Sequence, residues 1–331
     1  MKKKIFSIFL SALMLIGMAA CGGDAPAADS PTEAAAGGEQ SSGKGGLTIG
    51  YACKDVNDTF QTYLIEAAQE YADANQITLN VVDAQNDVVK QQDQVKDFIT
   101  QGVDAILVLI IDTSSAAPLT AAAQEAGIPL IYVNTNPYPD GNVPEGIYYV
   151  GSIEKEAGEL QAEYLGKLLD GKGNACILQG TLVHEGAVQR SEGVVDKLAE
   201  LYPEMTVIAQ QPADWQKDKA MGVMENWLTA YNGDIQAVFA NNDEMALGAV
   251  NALQAIGKSD TLVMGIDGTT AALEAIKDGK LTGSIFQDAK GQAQGAMEIA
   301  AKIIAEETVE DQIKWVPFVL ITSDNVDEFM N

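Results

Sequence analysis

The sequence predicts an α/β protein built as two doubly wound parallel-sheet lobes. From residue 47 onward, short apolar runs alternate with segments of helical period. Several of these runs are apolar throughout, as strands covered on both faces of a parallel sheet are. The strand–helix units also outnumber the roughly 4–6 strands of a usual sheet, so the body divides into two similar lobes.

In chain order, the run 47–53 (LTIGYAC) opens the first lobe and leads to a helical segment at 60–75. Strand 77–82 and helix 88–101 follow, then the fully apolar strand 105–111 and helix 116–126, which stops at a glycine, Ala126-Gly127. Strands 129–133 and 147–150 precede helix 154–169. Strand 175–178 and helix 186–201 begin the second series, followed by strand 206–209 and helix 216–231. Strand 237–240 leads to helix 244–256, ended by Ile256-Gly257. Strand 262–266, helix 271–278, strand 284–286, helix 291–306 and a last apolar strand, 316–321, complete the body. Trp227 and Trp315 read as core, and so do Cys53 and Cys176, which sit in apolar runs of different lobes and should not bridge.

Residues 1–20 read as an export signal: Lys2-Lys3-Lys4 is a basic start, 5–16 is an apolar run, and Gly17-Met18-Ala19-Ala20 sets small residues before Cys21. That ending resembles a bacterial lipobox, in which Cys21 becomes the lipidated first residue of the mature chain. Residues 21–46 are Pro/Gly/Ser-rich without hydrophobic period and form a flexible linker, reaching roughly 25–30 Å. The formal charge of −27 disfavours nucleic acid and anionic membrane surfaces as partners. One histidine and three cysteines leave too few soft ligands for a zinc or iron–sulfur site. No dinucleotide-binding, P-loop, nucleophile-elbow or zinc-protease motif is present.

Ligands of doubly wound sheets bind beyond the carboxyl ends of the strands. There the chain places Asp58 and Phe60, Asn134, His184 and Arg190, Trp215, Asn242, Asp267 and Gln287. Aromatic residues with Asp, Asn, Arg, His and Gln between them suit a neutral polyol. C–H faces stack on the rings, and hydroxyls need planar side chains that donate and accept. Each residue also has a plainer reading: Asn242 and Asp267 as helix N-caps, Trp215 as core, His184 as a loop residue.

The stretches Gln210-Gln211-Pro212-Ala213-Asp214-Trp215, 239–249 (FANNDEMALGA), Gly265-Ile266-Asp267-Gly268-Thr269, Asp278-Gly279-Lys280-Leu281 and Ala84-Gln85-Asn86-Asp87 resemble the periplasmic sugar-binding proteins of ABC importers, the ribose and galactose/glucose group. The likeness spans 47–331. It implies the type I periplasmic binding protein fold, with crossings near residues 152, 288 and 319. The N-terminal lobe would be 47–152 plus 288–319, and the C-terminal lobe 153–287 plus 320–331. Asp58, Phe60, Asn134, His184, Arg190, Trp215, Asn242 and Asp267 follow the galactose/glucose branch. There the Asp engages a ring hydroxyl and the His reaches the exocyclic hydroxymethyl end, while aromatic residues (here Trp215 and Phe60) cover the two sugar faces. Gly186 stands where that branch has an acid, removing a carboxylate and opening space for a simple glycoside, and Gln287 stands where it has Asn. The calcium loop of the enteric members is absent, and no metal or cofactor is implied.

The resemblance thus implies a lipid-anchored monomer that captures a monosaccharide, a galactose/glucose-type hexose or simple glycoside, by hinge closure. It would deliver the sugar to an ABC permease with its ATPase, without being an enzyme. Alternatives are a ribose, pentose or other polyol ligand, and a sensor lipoprotein serving a membrane kinase or chemoreceptor. A transcription regulator on this fold would need a DNA-binding segment where the leader and linker stand.

Overall fold

The computed structural model describes residues 46–330; the leader, Cys21 and nearly all of the linker lie outside the described residues. The first lobe contains β1 (Thr48–Cys53), α1 (Thr59–Ala74), β2 (Thr78–Asp83), α2 (Val88–Gln101), β3 (Ala105–Val108), α3 (Ala116–Ala126), β4 (Leu130–Val133) and β5 (Ile147–Gly151). The second contains α4 (Glu154–Leu168), β6 (Lys172–Gln179), α5 (Glu185–Leu201), β7 (Glu204–Pro212), α6 (Lys217–Ala230), β8 (Ala237–Ala240), α7 (Asp243–Ala255), β9 (Leu262–Asp267), α8 (Thr270–Lys277) and β10 (Gly283–Phe286). Helix α9 (Ala289–Ile304) and β11 (Ile313–Trp315) return to the first lobe, and β12 (Val319–Ile321) to the second.

Strand order is β11-β5-β4-β3-β1-β2 in one sheet and β12-β10-β9-β8-β6-β7 in the other. Both sheets are covered on both faces, as their apolar runs require. Along β3 and the residues after it, Ala105, Leu107 and Leu109 pack with α1 and α9. Ile106, Val108 and Ile110 pack with α2 and α3. In the second lobe α6, α7 and α8 cover one face and α4 and α5 the other.

Of the stretch 316–321, expected as one strand, only Val319–Ile321 is strand; residues 316–318 cross from β11 in the first sheet to β12 in the second. Pro317 has no N–H for a ladder, and the pairing breaks around it. Side-chain alternation completes the division: Val316 packs in the first lobe's core and Phe318 in the second's. Strand β12 runs antiparallel to β10, so the second sheet is not wholly parallel, and Val319 belongs to the second lobe's sheet. Trp315 is not core: it is 46% exposed on edge strand β11 and packs edge-on against Tyr149. The chain crosses between lobes at 152–153, 287–288 and 316–318. Ser152 ties two crossings together by donating to the Val316 carbonyl at 2.7 Å.

Cys53 and Cys176 are free and buried in separate lobes. Burial pushes each thiol up to about 12, the inert state expected of a core cysteine. Helices α4 and α5 meet backbone to backbone: a Cβ at Gly158 would collide with the Arg190 carbonyl, and one at Gly193 with the Lys155 carbonyl. Gly158→Ala should therefore destabilise the fold by about 1–3 kcal/mol despite alanine's better helix propensity. A melting temperature at or above wild type would show that the helices do not need this approach.

Candidate functional site

Helix N-termini bring several side chains to the cleft. Asp58 caps α1, its Oδ1 accepting from the Gln61 N–H. His184 caps α5 through Nδ1, which accepts from the Gly186 N–H at 3.2 Å. Asn242 caps α7 through Oδ1, which accepts from the Met245 N–H. Asp267 caps nothing; Thr269 does that for α8. The lobes touch around this region. Thr135 Oγ1 lies 2.8 Å from His184 Nε2, Thr59 donates to Glu244, and the Thr270 N–H donates to the Tyr63 hydroxyl.

Asp58, Phe60, Asn134, His184, Arg190, Trp215, Asn242, Asp267 and Gln287 all line one small cavity of about 40 Å³ between the lobes, and six of them (Asp58, Phe60, His184, Trp215, Asn242 and Asp267) also line a wider cleft of about 700 Å³. Lys54, Gln61 and Leu109 complete the wall and were missed in the sequence. Lys54 follows β1 directly, the same signal that marked the others, but lysine usually reads as solvated. Gln61 braces the loop after β1, its Oε1 accepting from the Lys54 and Asp55 N–H groups.

Arg190 is the only arginine and His184 the only histidine in the chain. Both are buried. The guanidinium donates Nε–H to Glu154 at 2.5 Å, one N–H to the Asn241 carbonyl at 2.7 Å and one to Gln287 Oε1 at 3.0 Å. Asp267 Oδ1 stands 4.0 Å from it. Of the five guanidinium hydrogens, two remain for the cavity. Because Gln287 Oε1 faces Arg190, its buried Nε2 is left as an unpartnered donor, as is the Trp215 indole N–H. Asn134 donates to Gln292 Oε1 and keeps its own Oδ1. The wall thus offers donors from Lys54, Arg190, Gln287 and Trp215, against acceptors from Asp58, Asn134 and Asp267.

His184 is different. With Nδ1 accepting from a backbone N–H, the ring proton sits on Nε2 and faces Thr135. Both nitrogens are engaged within the protein. Gly186 does not open space either: a Cβ there would lie 3.4 Å from Glu154 Oε2, so Glu154 fills that corner.

Trp215 rests against Gly180, where any Cβ would strike the indole. The Lys54 ammonium stands 5.5 Å from the ring centroid. Phe60 lines the cavity while packing in the first lobe's core. Backbone strain gathers here: Asn134 (φ 67°), Asp214 (φ 52°), Trp215 (φ 67°) and Asp267 (φ 128°) are left-handed without being glycine. Each costs on the order of 1–3 kcal/mol, and such outliers cluster at functional sites.

Burial shapes the charges. His184 is held well below its ordinary range by burial and by Lys54 and Arg190, so the ring is neutral. Burial works against the Arg190 charge, but Glu154 and Asp267 lift it above its usual value. Burial, then Asp243, pushes Asp267 well up. Burial lowers Lys54, against the pull of Asp58 and Asp55. Burial, then Glu154, pushes Glu185 up to about 8 from its ordinary 4.5. Between those values the folded chain keeps a proton that the unfolded chain has lost, so Glu185 makes stability fall as pH rises through that window. His184 acts in the opposite sense only below its ordinary 6.5. From pH 6.5 to 8, Glu185→Gln should reduce the downward slope of stability by up to about 1.4 kcal/mol per pH unit. Parallel pH–stability curves for variant and wild type would remove Glu185 as the source.

Residues 49–308 match the family model described as a periplasmic binding protein domain. The chain is 42% identical over 286 residues to a putative rhizopine-binding protein of Rhizobium meliloti, covering 85% of this chain and 92% of that one. It is 34% identical to the ribose import binding protein of Salmonella typhimurium, covering 80% and 86%. Its fold is similar to an ABC-transporter solute-binding protein of Bacillus halodurans with bound myo-inositol, at a TM-score of 0.81 and 40% identity, covering 88% of this chain and 99% of that one. Two lobes on two mainly parallel sheets, with a polar cavity between them, agree with these similarities: the chain belongs to the periplasmic binding protein family, in the ribose-binding group of ABC-transporter solute-binding proteins.

Proposed function

We propose that the protein captures a neutral six-membered-ring polyol between its lobes and delivers it to an ABC permease, with an inositol-type cyclitol ahead of galactose or glucose. The observation that carries this reading is the wall's balance of unengaged donors and acceptors. Each ring hydroxyl both donates and accepts, so a fully hydroxylated ring can satisfy Lys54, Arg190, Gln287 and Trp215 while donating to Asp58, Asn134 and Asp267.

The order within the class comes from His184. In the galactose/glucose branch this residue serves the exocyclic hydroxymethyl group, but here both ring nitrogens already have protein partners. A ring without that arm asks nothing of His184. The filled corner at Gly186 likewise takes away the room expected for a glycoside. The myo-inositol in the Bacillus halodurans relative supports the same order. Hinge closure at the three crossings does the work, and no covalent step is involved. Cys21, lipidated, would tether a monomeric body to the cell membrane through the linker.

Calorimetric titration with myo-inositol, galactose, glucose and ribose tests the ligand. Myo-inositol should bind tightest and ribose weakest; ribose binding with no signal from myo-inositol, galactose or glucose would overturn the reading. Trp215→Ala should weaken binding by about 1–3 kcal/mol while the protein stays folded. Unfolding of that variant, with binding intact in the folded fraction, would make Trp215 a core residue instead. For the anchor, Cys21→Ser should release the protein from membranes or leave uncleaved precursor there. Normal cleavage with unchanged mass and fractionation would contradict lipidation.

A further inference from the structure

Glu154 is not on the cavity wall, yet it touches the residue that dominates it. It is the first residue of α4, just past the 152–153 crossing, and is 3% exposed. Its Oε2 accepts from Arg190 Nε. Gly186 lies four residues before Arg190 on α5, on the same helix face. A Cβ at 186 would lie 3.4 Å from Glu154 Oε2 and 3.2 Å from His184 Nδ1. Gly186 stands within a helix, so what it supplies is room. The neighbouring Glu185 makes no hydrogen bond to Arg190, whose side-chain partners are Glu154, the Asn241 carbonyl and Gln287.

We propose that Glu154 is the positioning residue for Arg190 and that Gly186 is its necessary complement: the two positions hold one carboxylate between them, supplied from the hinge rather than from α5. Resting on the polyol reading above, this names what sets the site's selectivity. Three of the five guanidinium hydrogens are held by Glu154, Asn241 and Gln287, which aims the other two at the ring. Removing the first anchor leaves the fork free to turn, and ring epimers are then told apart less sharply. Because residue 186 points at the same place, an acid there can restore the anchor once Glu154 is gone.

The single arginine makes this directly measurable. In ligand-free, ¹⁵N-labelled protein the Arg190 Nε–H should give one solvent-protected resonance. Glu154→Ala should lose the protection, weaken myo-inositol binding by roughly 10- to 100-fold and narrow the preference for myo- over epi-inositol. Gly186→Asp alone should also weaken binding, by crowding. The double variant Glu154→Ala/Gly186→Asp should regain both the protected resonance and the epimer preference, which general destabilisation cannot do. If Glu154→Ala does not fold, Glu154→Gln keeps the shape and should shift the resonance and narrow the preference. A protected, unshifted Arg190 signal in the Glu154 variants, or a folded double variant that regains nothing, would overturn the proposal. A wild type with the protected resonance but no affinity for any polyol would overturn the polyol reading and leave the pairing standing.

Discussion

A single guanidinium, buried between two lobes, organises this molecule's cavity. Leaving Arg190 without partners in a desolvated site would be very costly, so the structure surrounds it. Glu154 comes from the start of α4, the Asn241 carbonyl from the end of β8, Gln287 from a crossing, and Asp267 from the end of β9. These partners dictate which atoms remain available. Gln287 must present its amide N–H to the cavity because its oxygen is held by Arg190. Positive side-chain charge elsewhere in the chain is carried by lysine; this one position uses the rigid, forked cation, which suits paired hydroxyl oxygens.

The same network joins the cavity to the hinge. Asn134 donates to Gln292, Gln292 donates to Ser152, and Ser152 donates to Val316 in another crossing. Gln287 lies in the remaining crossing. On the function proposed above, a ligand that orders Asn134 and Gln287 would act on all three crossings at once. Direct lobe-to-lobe bonds, Thr135 with His184 and Thr59 with Glu244, join the lobes beside the cavity. Their strength sets how much of the binding energy is left for affinity.

Much of the fold was legible because buried parallel strands write themselves as apolar runs and helices of clear period stop at glycines such as Gly127 and Gly257. The exceptions have local causes. Residues 316–321 look like one strand until Pro317 and the need to serve two cores divide them. Trp315 looks like core, but the edge strand that carries it leaves its ring half in water. In the cavity, residues directly after strands were readable from position alone, and the same rule would have found Lys54. Glu154 was not readable. It sits at the start of a helix rather than the end of a strand, and only the close packing of α4 on α5 brings it to Arg190. Hence the glycine at 186 looked like empty space in the sequence, whereas it is occupied from a distant element.

The most direct test is a crystal structure of the protein with myo-inositol. The account requires the ring on the Trp215 face, with hydroxyls taking the two open Arg190 hydrogens and the Gln287 amide while donating to Asp58 and Asp267, and with Glu154 still on Arg190. A ligand seated elsewhere, or held while Arg190 turns away from Glu154, would contradict it.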